Sequence, residues 1–268
     1  MVYHEFIYLD KLKFRLILDN CSSLKVGEVL AFHELSSLHY LEISYISSLE
    51  SLDLHSFVAL ENLVIKGCQS LTSLTFGEHS VCLRSLEIKS CKILSSMKGL
   101  RSWVNLERLH FRKCPGFVVA WDSASKEIER TEPNFSLSLE SVKGDSLALL
   151  TLPICKQLTS LQYFHLEVST FTEEQEISPQ LLRSIDLVDI RGCRNLQSFP
   201  FHLFPSLNSL WIRFPRIQEL SRSCYNEIYK ECLKLRNITE VYIRRFPIQI
   251  EFRLSSEEII CQQMDTGC

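Results

Sequence analysis

The sequence predicts an α/β solenoid, a stack of short parallel strands joined by irregular or helical returns. Three observations predict it. The stretch LENLVIKGCQSLTSL, residues 60–74, returns at a fixed interval: Leu63, Leu86 and Leu109 stand 23 residues apart. Each return repeats the spacing L-x-x-L-x-L-x-x-C-x-x-L, as in Leu60, Leu63, Ile65 and Leu71, or Leu83, Leu86, Ile88 and Leu94. The cysteine position of that pattern holds Cys21, Cys68, Cys91, Cys114 and Cys193. Spacing of this kind is the signature of leucine-rich repeats, in which each unit is one coil stacked on the next.

Each element follows from the spacing. In a strand, alternate residues share a face, so the two apolar residues of L-x-L point inward together. The leucine three residues before the pair and the one after the cysteine bring the chain back over the same core. Cysteine suits the corner because it is small and readily buried. One unit cannot bury its apolar face alone, whereas stacked units share a continuous core. The pairs run Leu16/Leu18, Leu41/Ile43, Leu63/Ile65, Leu86/Ile88, Leu109/Phe111, Leu137/Leu139, Phe164/Leu166, Val188/Ile190, Leu210/Ile212 and Val241/Ile243. They predict about ten short strands forming the concave parallel sheet of a horseshoe. Residues 1–268 are expected to form one elongated domain. Repeats fill about 13–245 of it, with a cap and polar tail over 246–268. Two units are stretched. The insert between Phe111 and Leu137 turns polar and charged and is expected on the convex side or rim. The insert between Ile212 and Val241 reads as a helical return. LALLTLPICKQL, 147–158, imitates the motif locally and is read as a return, and PIQIEFRL adds a last strand.

Composition excludes several classes of function. The net charge of −3 argues against nucleic acid as the main partner. No apolar run reaches the roughly 18 residues of a spanning helix. Charges interrupt MVYHEFIYLDKLKFRLIL, which lacks a signal-peptide layout. The 11 cysteines include no C-x-x-C pair, so buried thiols are expected rather than metal ligands. Cys224, Cys232, Cys261 and Cys268 fall outside the repeat pattern. So many unpaired thiols suit a reducing compartment, and the chain is expected in the cytoplasm or nucleus, not secreted. Catalysis is not expected, and neither is a cofactor. The sequence has no G-x-S-x-G, no H-E-x-x-H and no glycine-rich phosphate loop. The in-phase thiols point into the core, while His110 and His165 are read as facing the concave side.

The cysteine-type repeats, their irregular lengths and the phrases LRSLEIKSC, RGCRNLQSFPFHLFPSLNSLWI and CKQLTSLQYFHLEV resemble the repeat region of plant nucleotide-binding leucine-rich-repeat disease-resistance receptors, those of cereals in particular. The resemblance implies a non-catalytic recognition module in innate immunity. Its partners would be a pathogen effector, a guarded host protein or the receptor's own nucleotide-binding domain. No G-x-x-x-x-G-K-[ST] loop occurs, so nucleotide chemistry is not carried over. The alternative within the binding class is the substrate-recognition array of an F-box-type ubiquitin ligase adaptor, which also uses cysteine-type repeats.

Residues flanking the inward pairs define the candidate surface. The column after each pair carries two basic runs, Lys66–Lys89–Arg112 and Arg191–Arg213–Arg244. Trp211 and Tyr242, from the column between the paired residues, lie beside the second run. Aromatic residues with arginine are the usual chemistry of interface anchors, so that patch is the favoured contact, expected to take an acidic partner. The first run lacks aromatics, and a merely solvated face explains it better.

Overall fold

Where the apolar pairs recur regularly, they form strands in register. The computed structural model describes residues 6–10, 14–21, 36–78, 81–146, 158–167, 170–171, 183–192, 195–196, 204–213, 230, 238–244, 248–254 and 259–265. The chain divides into two compact units, Met1–Leu139 with Leu152–Leu158, and Glu140–Thr151 with Thr159–Cys268. It is an α/β chain dominated by a large parallel sheet.

In the first unit the strands are β1 (Phe6–Asp10), β2 (Arg15–Asp19), β3 (Tyr40–Ser44), β4 (Ser51–Asp53), β5 (Asn62–Lys66), β6 (Ser73–Thr75), β7 (Ser85–Lys89), β8 (Ser96–Lys98) and β9 (Arg108–Arg112). β2, β3, β5, β7 and β9 pair in parallel, with Leu16, Leu41, Leu63, Leu86 and Leu109 level with one another. β4, β6 and β8 form a second parallel row that places Leu52, Leu74 and Met97 level. The inward pairs, and the leucines three residues before them, are buried to 3% exposure or less.

The corners are as regular as the strands. At the start of a strand, two successive N–H groups donate to one carbonyl of the preceding level. Glu61 and Asn62 share the His39 carbonyl, and Arg84 and Ser85 share that of Glu61. At the end of a strand, one left-handed residue turns the chain: Asn20, Tyr45, Gly67, Ser90 and Lys113 all have positive φ. The N–H groups of Asn20, Tyr45, Gly67 and Ser90 donate forward to the carbonyls of Ser44, Lys66, Lys89 and Arg112 at 2.7–2.8 Å.

Ile46 follows Tyr45, and at each of the other four corners a cysteine follows immediately. Its thiol donates to the carbonyl two residues back, at 3.4 Å for Cys21, 3.6 Å for Cys68, 3.5 Å for Cys91 and 3.2 Å for Cys114. Cys114 also reaches the Ile88 carbonyl at 3.5 Å, and the Cys91 N–H donates to the Cys114 sulfur at 3.4 Å. These four thiols are buried, whereas that of Cys82 is exposed. Burial pushes the Cys68 thiol up to about 11. Hydrogen bonding with Cys114, then burial, raises that of Cys91. Thiolate is the reactive form, so Cys82 is expected to react with a maleimide under native conditions long before Cys68, Cys91 or Cys114. Mass mapping of the labelled protein checks this, and equal rates at the four sites would contradict it.

The stretched segment after β9 folds as helix α1 (Phe117–Thr131). Phe117, Val118, Ala120, Trp121, Ala124 and Ile128 form its buried face, the spacing of an amphipathic helix. Trp121 packs against Trp103 and Phe117 with ring centroids 6.0 and 6.1 Å apart, and Trp103 meets Phe76 edge-on at 5.4 Å. Gly116 begins the helix where a Cβ would stand 2.5 Å from the Leu94 carbonyl oxygen. The segment between Phe111 and Leu137 is therefore half core, which its charged second half conceals.

The second unit contains β10 (Ser141–Gly144), β11 (Tyr163–Glu167), β12 (Thr170–Phe171), β13 (Leu187–Arg191), β14 (Asn195–Leu196), β15 (Ser209–Arg213), β16 (Glu240–Arg244), β17 (Ile248–Leu254) and β18 (Ile259–Asp265). β10, β11, β13, β15 and β16 pair in parallel, and β12 pairs with β14.

Two expectations need correction. Leu137 and Leu139 are buried but precede the strand. The inward pair of that unit is Val142 and Gly144, opposite Phe164 and Leu166. Leu139 is thus the leucine three residues before the pair, and the glycine in the second inward slot hides the register. The true intervals are 33 residues from Leu109 to Val142 and 22 from Val142 to Phe164, so the whole insertion belongs to one return. Second, the ends are antiparallel. β1 folds back on β2; the last strand expected over PIQIEFRL forms as β17 but runs antiparallel to β16, and the segment read as a polar tail forms β18, antiparallel to β17. Most of 147–158 and nearly all of the return after Ile212 lie outside the described residues, as does Cys193.

Candidate functional site

The face of each sheet opposite its core carries the side chains between and beside the inward pairs. In the first unit these form a chain of contacts. The Arg15 guanidinium lies 4.2 Å from the Tyr40 ring centroid. Tyr40 Oη donates to Glu42 Oε2 at 2.7 Å, and Lys66 Nζ donates to Glu42 Oε1 at 2.9 Å. Glu87 Oε1 then stands 3.7 Å from Lys66 and 2.8 Å from Lys89, with its other oxygen 3.4 Å from His110 Nδ1. Arg112 is exposed at the end of β9.

This geometry has a simple cause. Lys66 and Lys89 sit directly opposite each other on parallel strands, and like charges so placed repel. Glu87, in the adjacent column, reaches both. Lys66 and Lys89, two of the three residues of the first basic run, are therefore neutralised within the protein by carboxylates one column away.

The second unit repeats the device in a drier setting. Arg191 and Arg213 are opposite each other in register, and so are His165, Asp189 and Trp211. Asp189 Oδ2 accepts from Arg191 Nε at 3.1 Å, from Arg191 Nη2 at 2.9 Å and from His165 Nδ1 at 2.9 Å. Its Oδ1 lies 3.6 Å from Arg213 Nε. The Arg213 guanidinium in turn lies 5.4 Å from the centroid of the Trp211 ring. His165 Nε2 is 3.9 Å from Glu167. His165 is 1% exposed and Asp189 is 0% exposed. Trp211 is half-buried, as an outward residue under a neighbouring arginine should be.

His165 and Asp189, in the same column as Trp211, were expected to face solvent, and both are buried. Short side chains in the middle of the face are covered when long ones beside them fold inward to pair. Arginines expected to await an acidic partner already share a carboxylate. Of the second patch, Arg191, Trp211 and Arg213 come together. Tyr242 and Arg244 stand opposite Trp211 and Arg213 in backbone register, but their side chains lie outside the described residues. The missed members, His165 and Asp189, were in the right column. The signal that could have found them is an acidic residue one column from two level arginines.

These pairings shift the carboxyls. Burial pushes the Asp189 carboxyl up, but hydrogen bonds from His165 and Arg191 outweigh it and hold it below the ordinary range. Glu42 and Glu87 are lowered in the same way, against burial, by Lys66 with Tyr40 and by Lys89 respectively. A carboxyl whose folded value lies below its unfolded value adds stability that is complete above the unfolded value, about 4. That stability disappears as pH falls through the folded value. Urea unfolding is accordingly expected to show a lower midpoint at pH 3 than at pH 7, with part of the difference lost in Glu87→Gln. Equal midpoints at the two pH values would contradict the pairing.

Among the described residues no group of histidine, cysteine, aspartate or glutamate is arranged to hold a metal. No helix among them is long and apolar enough to cross a membrane. No family model, no curated protein and no solved structure matches this chain at a significant level.

Proposed function

We propose that the chain is a leucine-rich-repeat solenoid, curved as a horseshoe, that serves as a non-catalytic protein-recognition module of a plant disease-resistance receptor. One observation carries the recognition reading. Inward positions are apolar at every described level except that of Gly144, while outward positions change chemistry from one level to the next. They run Ile17, Glu42, Val64, Glu87 and His110 in the first unit, and His165, Asp189 and Trp211 in the second. A face that varies over an invariant core can change its partner without changing its fold. The plant-receptor parentage is supported by the repeat phrases alone. The partner is a protein, and the Trp211 patch is the favoured contact.

The test compares faces. Proteins from a cereal leaf extract are captured on the wild-type chain, on Trp211→Ala and on Val119→Ala, which alters the exposed side of α1. Loss of specific partners with Trp211→Ala alone supports recognition through the outer face. Equal capture by all three refutes it for this patch. Parentage is tested separately by sequencing the transcript ahead of Met1. A nucleotide-binding domain in frame supports the receptor, and an F-box in frame replaces it with the ubiquitin ligase adaptor.

A further inference from the structure

The Asp189 cluster does more than neutralise two arginines. Asp189 sits fully buried on a face whose flanking side chains are part-exposed, and its two oxygens have different tasks. Oδ2 is occupied by Arg191 and His165. Oδ1 faces Arg213 Nε at 3.6 Å, an ion pair too long for a hydrogen bond, and Arg213 is the residue that lies over Trp211. Without a carboxylate between them, the level guanidinium groups of Arg191 and Arg213 would repel and swing apart into solvent. We propose that Asp189 is a positioning residue: through Arg213 it holds the Trp211 ring in one pose on the outer face, so that a partner meets a pre-set aromatic anchor. This deepens the recognition reading and rests on it for its purpose. Its test needs no partner, so it can fail while that reading stands.

Arg191 serves as the internal control. It binds the same carboxylate by two nitrogens, both on Oδ2, whereas the guanidinium over the Trp211 ring is that of Arg213. If the path runs from Asp189 through Arg213 to Trp211, then disturbing Arg213 must loosen the ring and disturbing Arg191 must not. A shared structural role would make the two arginines equivalent. The Arg213 guanidinium, 5.4 Å from the ring centroid, is planar and delocalised and so suits an aromatic face better than the compact ammonium of lysine.

The chain holds three tryptophans. Trp103 and Trp121 are 0% exposed, so acrylamide quenching of tryptophan fluorescence in the folded protein reads Trp211. A part-exposed cation–π contact biases the ring's position by about two- to fivefold. The quenching constant is therefore expected to rise roughly twofold in Asp189→Asn and in Arg213→Lys, and to stay at the wild-type value in Arg191→Lys. Circular dichroism on each variant confirms that the fold is retained. Should Asp189→Asn not fold, the two arginine variants decide. Wild-type quenching in Arg213→Lys, or equal increases in Arg213→Lys and Arg191→Lys, overturns the proposal.

Discussion

Leu86→Asp is expected to abolish cooperative unfolding of the first unit or to prevent its folding. Leu86 is 1% exposed and Ile88 is 0% exposed, each level with apolar residues on both neighbouring strands. An aspartate in either place would leave a carboxylate without a partner in an apolar interior. That costs several kcal/mol, against a total stability of about 5–15 kcal/mol for a typical domain. Glu87, between them, points the other way. Glu87→Ala removes its contacts with Lys66, Lys89 and His110, but all four side chains are part-exposed. Such surface pairs contribute about 0–1 kcal/mol. Urea unfolding followed by circular dichroism measures all three changes. If Glu87→Ala proves as harmful as Leu86→Asp, the inward and outward assignments are wrong.

Trp121→Ala is expected to be the most damaging single change in the inserted segment. The ring is fully buried and touches Trp103 and Phe117. Emptying so large a site typically costs about 3–5 kcal/mol. Val119, two residues away on the same helix, is 59% exposed, and Val119→Ala should lie within about 0.5 kcal/mol of wild type. A thermal melt of each variant gives the comparison. A wild-type melting temperature for Trp121→Ala would mean that α1 is an appendage rather than part of the core.

How much of this was legible depended on what each position must do. From Leu41 to Phe111 the apolar spacing fixes strands, corners and thiols together, because every inward slot there needs an apolar side chain. Gly144 breaks that rule. A glycine fills an inward slot without leaving an apolar mark, so the eye moves to Leu137 and Leu139, which share the core but not the strand. The helix at 117–131 was obscured by its own exposed face, whose charges say nothing of the tryptophan behind them. On the outer face, column membership could be read but pairing could not. Spacing tells which residues are level. It does not tell that an aspartate one column over will draw in two arginines and bury both itself and a histidine. The antiparallel end strands have no repeat to announce them. They follow from the exposed edges that a stack of parallel strands leaves at its two ends.

The forward hydrogen bonds at the strand ends have a consequence for how such a chain can change. Asn20, Tyr45, Gly67 and Ser90 each hand an N–H to the next level, and each receiver is a main-chain carbonyl. Main-chain donors and acceptors do not depend on residue type. A corner therefore does not distinguish its natural successor from any other coil of the same length. Removing or duplicating a block of 23 residues, the distance from Leu63 to Leu86, would bring an equivalent carbonyl to the waiting N–H. One junction is particular: a Cβ at position 67 would strike the Tyr45 ring at 2.4 Å, and that ring is mostly in solvent and able to turn aside. Unequal crossing-over between such blocks would shuffle whole levels of outward residues while leaving the chain foldable at every step, so that new surfaces arise by recombination rather than by point mutation alone.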